Sequence, residues 1–266
     1  MTAPVLCYHR IGGAPELGVT RVSQGVFTRQ MESLARAGWR TLTLSEFATP
    51  RTADRGPDTF LLTFDDGYES LAEFAYPVLE RLGFTATTFV ITDFIGRENG
   101  WDMRYTWRRL RHLDWMRIEH WRARGFEFAS HGARHRRLTW VDDVTANDEL
   151  SRARETLIER LGTDAGRAIA YPFGAVDTRV QRLAREAGYE LGFGGVRGDA
   201  ASPWHLPRVP VYMWDATKLP FGLRQDSLGA VGRFVAHVAN RCAVGTSMMQ
   251  ALRGRISLQP ESTADA

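Results

Sequence analysis

The chain has 266 residues, 44% hydrophobic and 24% charged; with 14 Phe, 8 Trp and 7 Tyr, that composition excludes a disordered polymer. Cys7 and Cys242 are the only cysteines, too few for a disulfide framework or a cysteine-based zinc module, and 34 basic against 31 acidic residues leave a net charge of +3 that does not point to nucleic acid. The length suits one or two domains of about 150 residues each, or a single α/β barrel of about 250.

In chain order, Val5 to His9 reads as a strand. Ser23 then caps a helix that carries Phe27, Met31, Leu34 and Ala35 on one face and closes at Gly38. Phe60 to Phe64 is a continuous apolar run of the buried-strand type. Glu69 to Leu82 reads as one helix stopped by Gly83, and Ala86 to Ile91 as a β-branched strand. Thr92 to Asp114 has no clean period and reads as a long loop, a kind of segment that is usually functional or mobile. A helix at Trp115 to Arg124, a strand at Phe126 to Ser130 and the longest helix, Val141 to Leu161, follow. Strand-like Ala168 to Tyr171, helical Thr178 to Ala187, and strand-like Tyr189 to Phe193 and Val209 to Tyr212 complete the series.

This β–α alternation predicts parallel strands with helices packed outside, in an open α/β sheet or a (β/α) barrel. The expected division is a catalytic domain over residues 1–215 and an appendage over 216–266. In the appendage, Leu223 to Gln259 has a loose amphipathic helical pattern and Pro260 to Ala266 forms a frayed tail. No run of about 18 apolar residues suggests a membrane span, and Met1 leads into the first strand without a basic start and a long apolar stretch. The expectation is therefore a cytoplasmic chain. The basic segment Leu223 to Leu258 is compatible with lying on a membrane surface, which extends that expectation to the inner membrane face; packing against the barrel is the plainer reading.

Four polar clusters follow predicted strands: His9; Asp65-Asp66-Gly67; His131 with His135; and Pro172-Phe173-Gly174. Parallel α/β folds bind ligands at the carboxyl ends of their strands, so the clusters are expected to meet in one mouth. Adjacent on an extended segment, Asp65 and Asp66 should point to different sides, one toward a metal and the other toward substrate. That arrangement suits a glycosidase poorly, because its two carboxylates flank a bond from about 5 to 9.5 Å apart; a plain Asp-Asp-Gly turn is the bland alternative. Three residues separate His131 from His135, a spacing compatible with joint chelation, and Gly132 favours a turn over a helix there. Two histidines and one carboxylate leave coordination positions open, the plan of a catalytic metal site. His9 is promoted only by its place at the end of the first strand. Cys7, two residues earlier, should share its strand face and reads as a buried packing residue. His112, His120, His205 and His237 have no such context and read as structural.

These residues resemble the polysaccharide deacetylases of carbohydrate esterase family 4, the NodB homology domain. Thr63-Phe64-Asp65-Asp66-Gly67 is similar to the first family motif and Ser130-His131-Gly132-Ala133-Arg134-His135 to the second, with Gly132 where Ser or Thr is usual. Tyr171-Pro172-Phe173-Gly174 is similar to a variant of the third, commonly Arg-Pro-Pro-Tyr-Gly. The resemblance covers residues 4–212 and implies a distorted (β/α) barrel. It implies Asp65 as general base, and Asp66, His131 and His135 as ligands of a divalent ion, zinc by default. It also implies the Phe173 backbone N–H as donor to the oxyanion.

Two departures need compensation. The motif-three Arg that supports the base falls at Ala170, and Arg208 is the candidate replacement. The late Leu-x-His motif that carries the acid is missing. In the subgroup resembling poly-N-acetylglucosamine deacetylases, an early Tyr-His supplies that acid, which Tyr8-His9 fits. The substrate-lining positions implied are Trp101 and Asp102 in the long loop, with Tyr171 and Pro172. The expected reaction is metal-dependent removal of an N-acetyl group from an amino-sugar glycan. Deacylation or deformylation of a lipid-linked or nucleotide-linked sugar is the enzymatic alternative, and an inactive carbohydrate-binding homologue is the rival from another class.

Overall fold

The computed structural model describes residues 3–13, 20–49, 58–100, 110–196 and 202–212. The expected appendage over 216–266, with its amphipathic segment, lies outside the described residues, as do Trp101 and Asp102.

Strands β1 (Val5–Tyr8), β5 (Thr59–Phe64), β6 (Thr87–Val90), β7 (Glu127–Ser130), β8 (Ala168–Ala170), β9 (Leu191–Phe193) and β10 (Val209–Pro210) fall where the apolar runs predict. The short pairs β2 (Arg10–Ile11) with β3 (Arg21–Val22), and β4 (Arg40–Thr41) against the start of β5, carry too little pattern to be read from sequence. The main sheet runs β10-β1-β5-β6-β7-β8-β9, and every ladder in it is parallel. Residues 206–208 lie alongside β9, joined to it through the parallel bridge Phe193↔Leu206. Leu206 N donates to Gly192 O at 2.8 Å, Gly194 N to Leu206 O at 2.9 Å, and Arg208 N to Gly195 O at 3.0 Å. Through β10 that segment returns the hydrogen-bonding circuit to β1, so the sheet curls into a distorted (β/α) barrel.

Side chains alternate across each strand. Val5, Leu61, Phe89, Ala129, Ala168, Ala170, Leu191 and Phe193 fill the barrel interior. Leu6, Tyr8, Leu62, Phe64 and Phe128 face outward, onto helices α1 (Gln24–Arg36), α3 (Ser70–Phe74), α4 (Tyr76–Arg81) and α5 (Trp115–Arg122). Helices α6 (Asp143–Leu161) and α7 (Thr178–Glu186) cover β8 through Leu150, Val180 and Leu183. Short α2 (Leu44–Ala48) plugs the amino-terminal end of the barrel with Leu44 and Phe47. Glu127 braces it there, accepting from Leu44 N at 2.7 Å. The Ser23 cap of α1 is as expected, accepting from Val26 N.

Two expectations are corrected. Glu69 to Leu82 is not one helix but α3 and α4, broken at Ala75. Pro77, in the first turn of α4, has no N–H to donate and its ring excludes the carbonyl a turn earlier. The stretch Thr92 to Asp114 is not wholly irregular: it begins with a 3-10 turn (Thr92–Phe94), and antiparallel bridges Glu98↔Arg111 and Tyr68↔His112 close its base.

Candidate active site at the carboxyl ends of the strands

The four strand-end clusters converge. His9 leaves β1, Asp65 and Asp66 leave β5, His131 leaves β7, and Pro172–Gly174 form a 3-10 turn after β8. Among the described residues, the non-glycine residues with positive φ are Asp66 (66°), His135 (59°) and Phe173 (62°), all at this mouth. Side chains tolerate that region poorly, so the strain is concentrated where function is expected. Gly67, next to Asp66, has φ of 64°, and a Cβ there would stand 2.8 Å from Val90 Cγ1; only glycine permits the turn that separates the two carboxylates.

Asp65 and Asp66 are both buried but have different partners. Arg208 grips Asp65 two-pronged, Nη1 donating to Oδ1 at 2.7 Å and Nη2 to Oδ2 at 2.8 Å, while its Nε donates to Gly194 O at 3.0 Å. Burial opposes the charge on Asp65, but the Arg208 guanidinium outweighs it and holds the carboxyl well below the usual carboxylate range. His9 Nε2 lies 4.0 Å from Asp65 Oδ2, and His131 Nε2 lies 3.9 Å from the same oxygen.

Asp66 faces the histidine pair. Its Oδ1 is 3.5 Å from His131 Nε2 and 3.4 Å from His135 Nε2, and the two nitrogens are 3.2 Å apart. Three ligands on a tetrahedral zinc, with bonds of about 2.0 to 2.1 Å, stand about 3.3 to 3.4 Å from one another, so the triangle has the dimensions of a coordination face. These three residues could hold a divalent ion. Burial opposes charge on His131, but Asp65, Asp66 and the Ala170 carbonyl raise its pKa above the ordinary value; burial and His131 push His135 well below.

Supporting residues orient this face, and sequence reasoning missed them. The Ala170 carbonyl lies 2.7 Å from His131 Nδ1. A carbonyl only accepts, so Nδ1 carries a proton, and the tautomer left when the ring is neutral has its Nε2 lone pair facing the mouth. Ala170 thus sits where the family pattern has Arg, and contributes its backbone. His112, read as structural, has a structural role beside the site: its Nδ1 donates to the Asp66 carbonyl at 2.7 Å, its ring stacking on Tyr68 at 5.1 Å. It pins the backbone that holds Asp66 in its unusual conformation, and no periodic or motif signal marks it. Glu149 of α6 is fully buried and accepts from Arg134 N at 2.8 Å and Arg134 Nε at 2.6 Å, clamping the turn between the two histidines. At Gly132, where Ser or Thr is usual, φ is 78° and a Cβ would stand 3.4 Å from Glu149 Oε2.

Phe173 lies beside the metal-type triangle, its ring 4.6 Å from that of His135. Pro172 is buried in the same turn. Tyr171 does not line the mouth: its ring is buried among Leu150, Val180 and Tyr189, and its hydroxyl donates to Trp204 O at 3.0 Å. The strand alternation turns it outward, toward α6 and α7, which corrects the substrate-binding expectation for this residue. Cys7 is buried as expected, with Sγ 3.6 Å from Asp65 Oδ2. Among the described residues no helix is long and apolar enough to cross a membrane.

Comparison with known proteins agrees with this geometry. The family model for polysaccharide deacetylase matches residues 52–192, more than half of the chain. The chain is similar to YxkH of Bacillus subtilis (strain 168), named for the polysaccharide deacetylases, at 29% identity over 191 residues, covering 71% of this chain and 63% of that protein. It therefore spans less than two thirds of that relative's length. It is also similar to the poly-beta-1,6-N-acetyl-D-glucosamine N-deacetylase of Staphylococcus aureus (strain MSSA476), 24% identical over 233 residues and 78% of each chain. Among solved structures, IcaB from Ammonifex degensii superposes with a TM-score of 0.66 at 25% identity, covering 85% of this chain and 95% of that one. The Streptococcus pyogenes deacetylase PplD, solved with acetate, gives 0.70 at 22% identity over 80% and 93% of the two chains, a likeness of fold.

Proposed function

The chain belongs to the polysaccharide deacetylase family, and from that premise we propose that it hydrolyses the N-acetyl group of an amino sugar in a glycan, with a divalent cation held by Asp66, His131 and His135. The observation that carries this reading is the split between two adjacent carboxylates. Asp65 is committed to Arg208 and Asp66 to a pair of histidines, so one serves as proton acceptor and the other as ligand. A cation at this face would balance the Asp66 carboxylate when both histidines are neutral, since the guanidinium at the mouth is committed to Asp65.

When bound, the cation supplies Lewis acidity that polarises the acyl carbonyl and acidifies a water, and zinc is the default choice. Asp65, held ionised by Arg208, accepts the proton of the attacking water through Oδ2, the oxygen that also faces His9 and His131. As the water oxygen bonds to the acyl carbon, the Phe173 N–H stabilises the charge on the carbonyl oxygen. The carbon–nitrogen bond then breaks, His9 protonates the leaving amine, and acetate departs. Trp101, Asp102 and Pro172 remain the proposed substrate-lining positions.

The test is acetate release from N-acetylated amino sugars, free and polymeric, by protein as purified, stripped by chelation and refilled. Release that stops on stripping and returns with zinc or another divalent ion is expected; release that persists after thorough stripping would falsify the metal-dependent mechanism.

A further inference from the structure

A second group of ligating side chains shares the barrel mouth. The potential ligand atoms of Cys7, His9 and Asp65 all lie within 4.8 Å of one another, beside the Asp66, His131 and His135 triangle. Cys7 and His9 are two residues apart at the end of β1 and emerge on one face. Asp65 joins them from the neighbouring β5, where Tyr8 pairs with Phe64. Cys7 Sγ stands 3.6 Å from Asp65 Oδ2. On a tetrahedral zinc with a sulfur bond of about 2.3 Å and an oxygen bond of about 2.1 Å, that ligand-to-ligand edge is about 3.6 Å. His9 Nε2 is 4.0 Å from the same oxygen. The corresponding nitrogen–oxygen edge is about 3.4 Å, so this edge must close by about half an ångström, and the Cys7–His9 edge lies within 4.8 Å. With its side chain 24% exposed, and Nδ1 buried without a hydrogen-bond partner among the described residues, His9 can move without breaking a bond.

We propose that Cys7, His9 and Asp65 form a second, inhibitory cation seat that takes thiophilic divalent ions, zinc in excess or cadmium, and refuses magnesium and calcium. Thiolate and imidazole select borderline and soft ions over hard ones. On binding, the Cys7 thiol gives its proton to solvent as the sulfur–metal bond forms, and no electron is transferred. With no cation present, the buried thiol stays neutral beside Asp65. Arg208, which holds both Asp65 oxygens, repels the incoming ion and keeps this seat weaker than the Asp66, His131 and His135 face, where among the described residues no arginine or lysine is paired to the carboxylate. Occupation therefore comes after the first site is filled. It is inhibitory because it captures the groups proposed as base and acid; that half of the inference rests on the proposed reaction, whereas the binding does not.

The test titrates the stripped full chain with cadmium, following stoichiometry by calorimetry and the thiolate-to-cadmium charge-transfer band in the ultraviolet. Wild type is expected to bind two ions within the folded domain, the band rising with the second. Cys7→Ser should lose the second ion and the band, and Cys242→Ser, which removes the other cysteine, should keep both. Cys7→Ala, with its unfolding midpoint measured, replaces the serine variant if the hydroxyl weakens β1. In acetate release, excess zinc should inhibit wild type, and Cys7→Ser should keep its turnover at one equivalent while its inhibition midpoint moves up by at least about tenfold. A band that survives Cys7→Ser, or a wild type that binds a single ion, overturns the seat. Two ions bound without inhibition overturn its inhibitory role. A second cadmium ion that binds to a chain releasing no acetate at any zinc level would support the seat while counting against the proposed reaction.

Discussion

Arg208 and Asp65, 143 positions apart in the chain, meet as a two-pronged ion pair at 2.7 and 2.8 Å. Both side chains are 4% exposed, so water screens the pair little. Arg208 is the residue just before β10, while position 170, at the end of β8, is Ala170. Arg208 reaches the carboxylate that follows β5 because β10 and β5 flank β1 in the barrel.

Removing Arg208 tests this directly. Arg208→Met leaves a buried carboxylate without a counter-charge, a loss on the order of 3 to 5 kcal/mol that a denaturant titration will read. The sign of the pH effect follows. The folded Asp65 carboxyl lies below its unfolded value of about 3.9, so the pair's stabilisation is complete above that pH and is lost as pH falls through the folded value. Without Arg208, burial pushes the carboxyl up, so both acid unfolding and the acid limb of the pH–rate profile should move to higher pH. Arg208→Lys restores charge but not the two-pronged grip, and should lie between. If the acid limb stays in place, Asp65 is not the group whose ionisation the reaction needs.

The two carboxylates should fail differently. Asp65→Asn is expected to abolish acetate release by about 10² to 10⁴-fold while the protein still binds one equivalent of zinc. Asp66→Asn is expected to lose the ion itself, with activity recovering only partly at high zinc. Metal content by mass spectrometry alongside turnover separates the cases. Equal zinc loss in both variants would contradict the division of labour.

How much of this was legible in the sequence follows from what pattern encodes. The buried run Phe60 to Phe64 and the strand-end motifs are local signals, and they place β5, Asp65, Asp66, His131 and His135 correctly. Even Arg208, with no motif of its own, could be anticipated from the missing partner at Ala170. His112 and Glu149 could not. One pins a backbone carbonyl from the end of a long loop and the other is a glutamate on an amphipathic helix, indistinguishable by spacing from its exposed neighbours. Tyr171 was misplaced for the opposite reason: motif adjacency suggested the mouth, but alternation along β8 decides the side chain's direction. Strands β2, β3 and β4, at two residues each, are shorter than any period, and the break at Ala75 needed Pro77 to be weighed against an otherwise continuous helical run.

His9 carries the assignment of the general acid. His9→Ala should lower turnover by about 10² to 10⁴-fold, with zinc affinity at the Asp66, His131 and His135 face unchanged. A substrate with an activated, readily expelled amine should be spared much of the loss, because its leaving group needs no proton. Near-wild-type turnover on an ordinary N-acetyl sugar would remove His9 from the mechanism.

Glu149 makes the sharpest claim for a residue that no motif identifies. Its carboxylate is enclosed, and it holds both the backbone N–H and the guanidinium of Arg134, the residue before His135. Glu149→Gln keeps the shape but weakens a charge-assisted contact, and Glu149→Leu removes both acceptors. Zinc affinity is expected to fall by about tenfold or more in the leucine variant and less in the glutamine one, because the loop between the two histidine ligands loses its clamp. Asp148→Asn changes the next residue, which meets the same Arg134 at the exposed surface. Exposed pairs contribute little, so it should leave zinc affinity within about twofold of wild type. A merely structural Glu149 would lower the unfolding midpoint and leave zinc affinity in the surviving folded protein untouched; the clamp requires that both fall, and in the order Leu, then Gln, then Asp148→Asn.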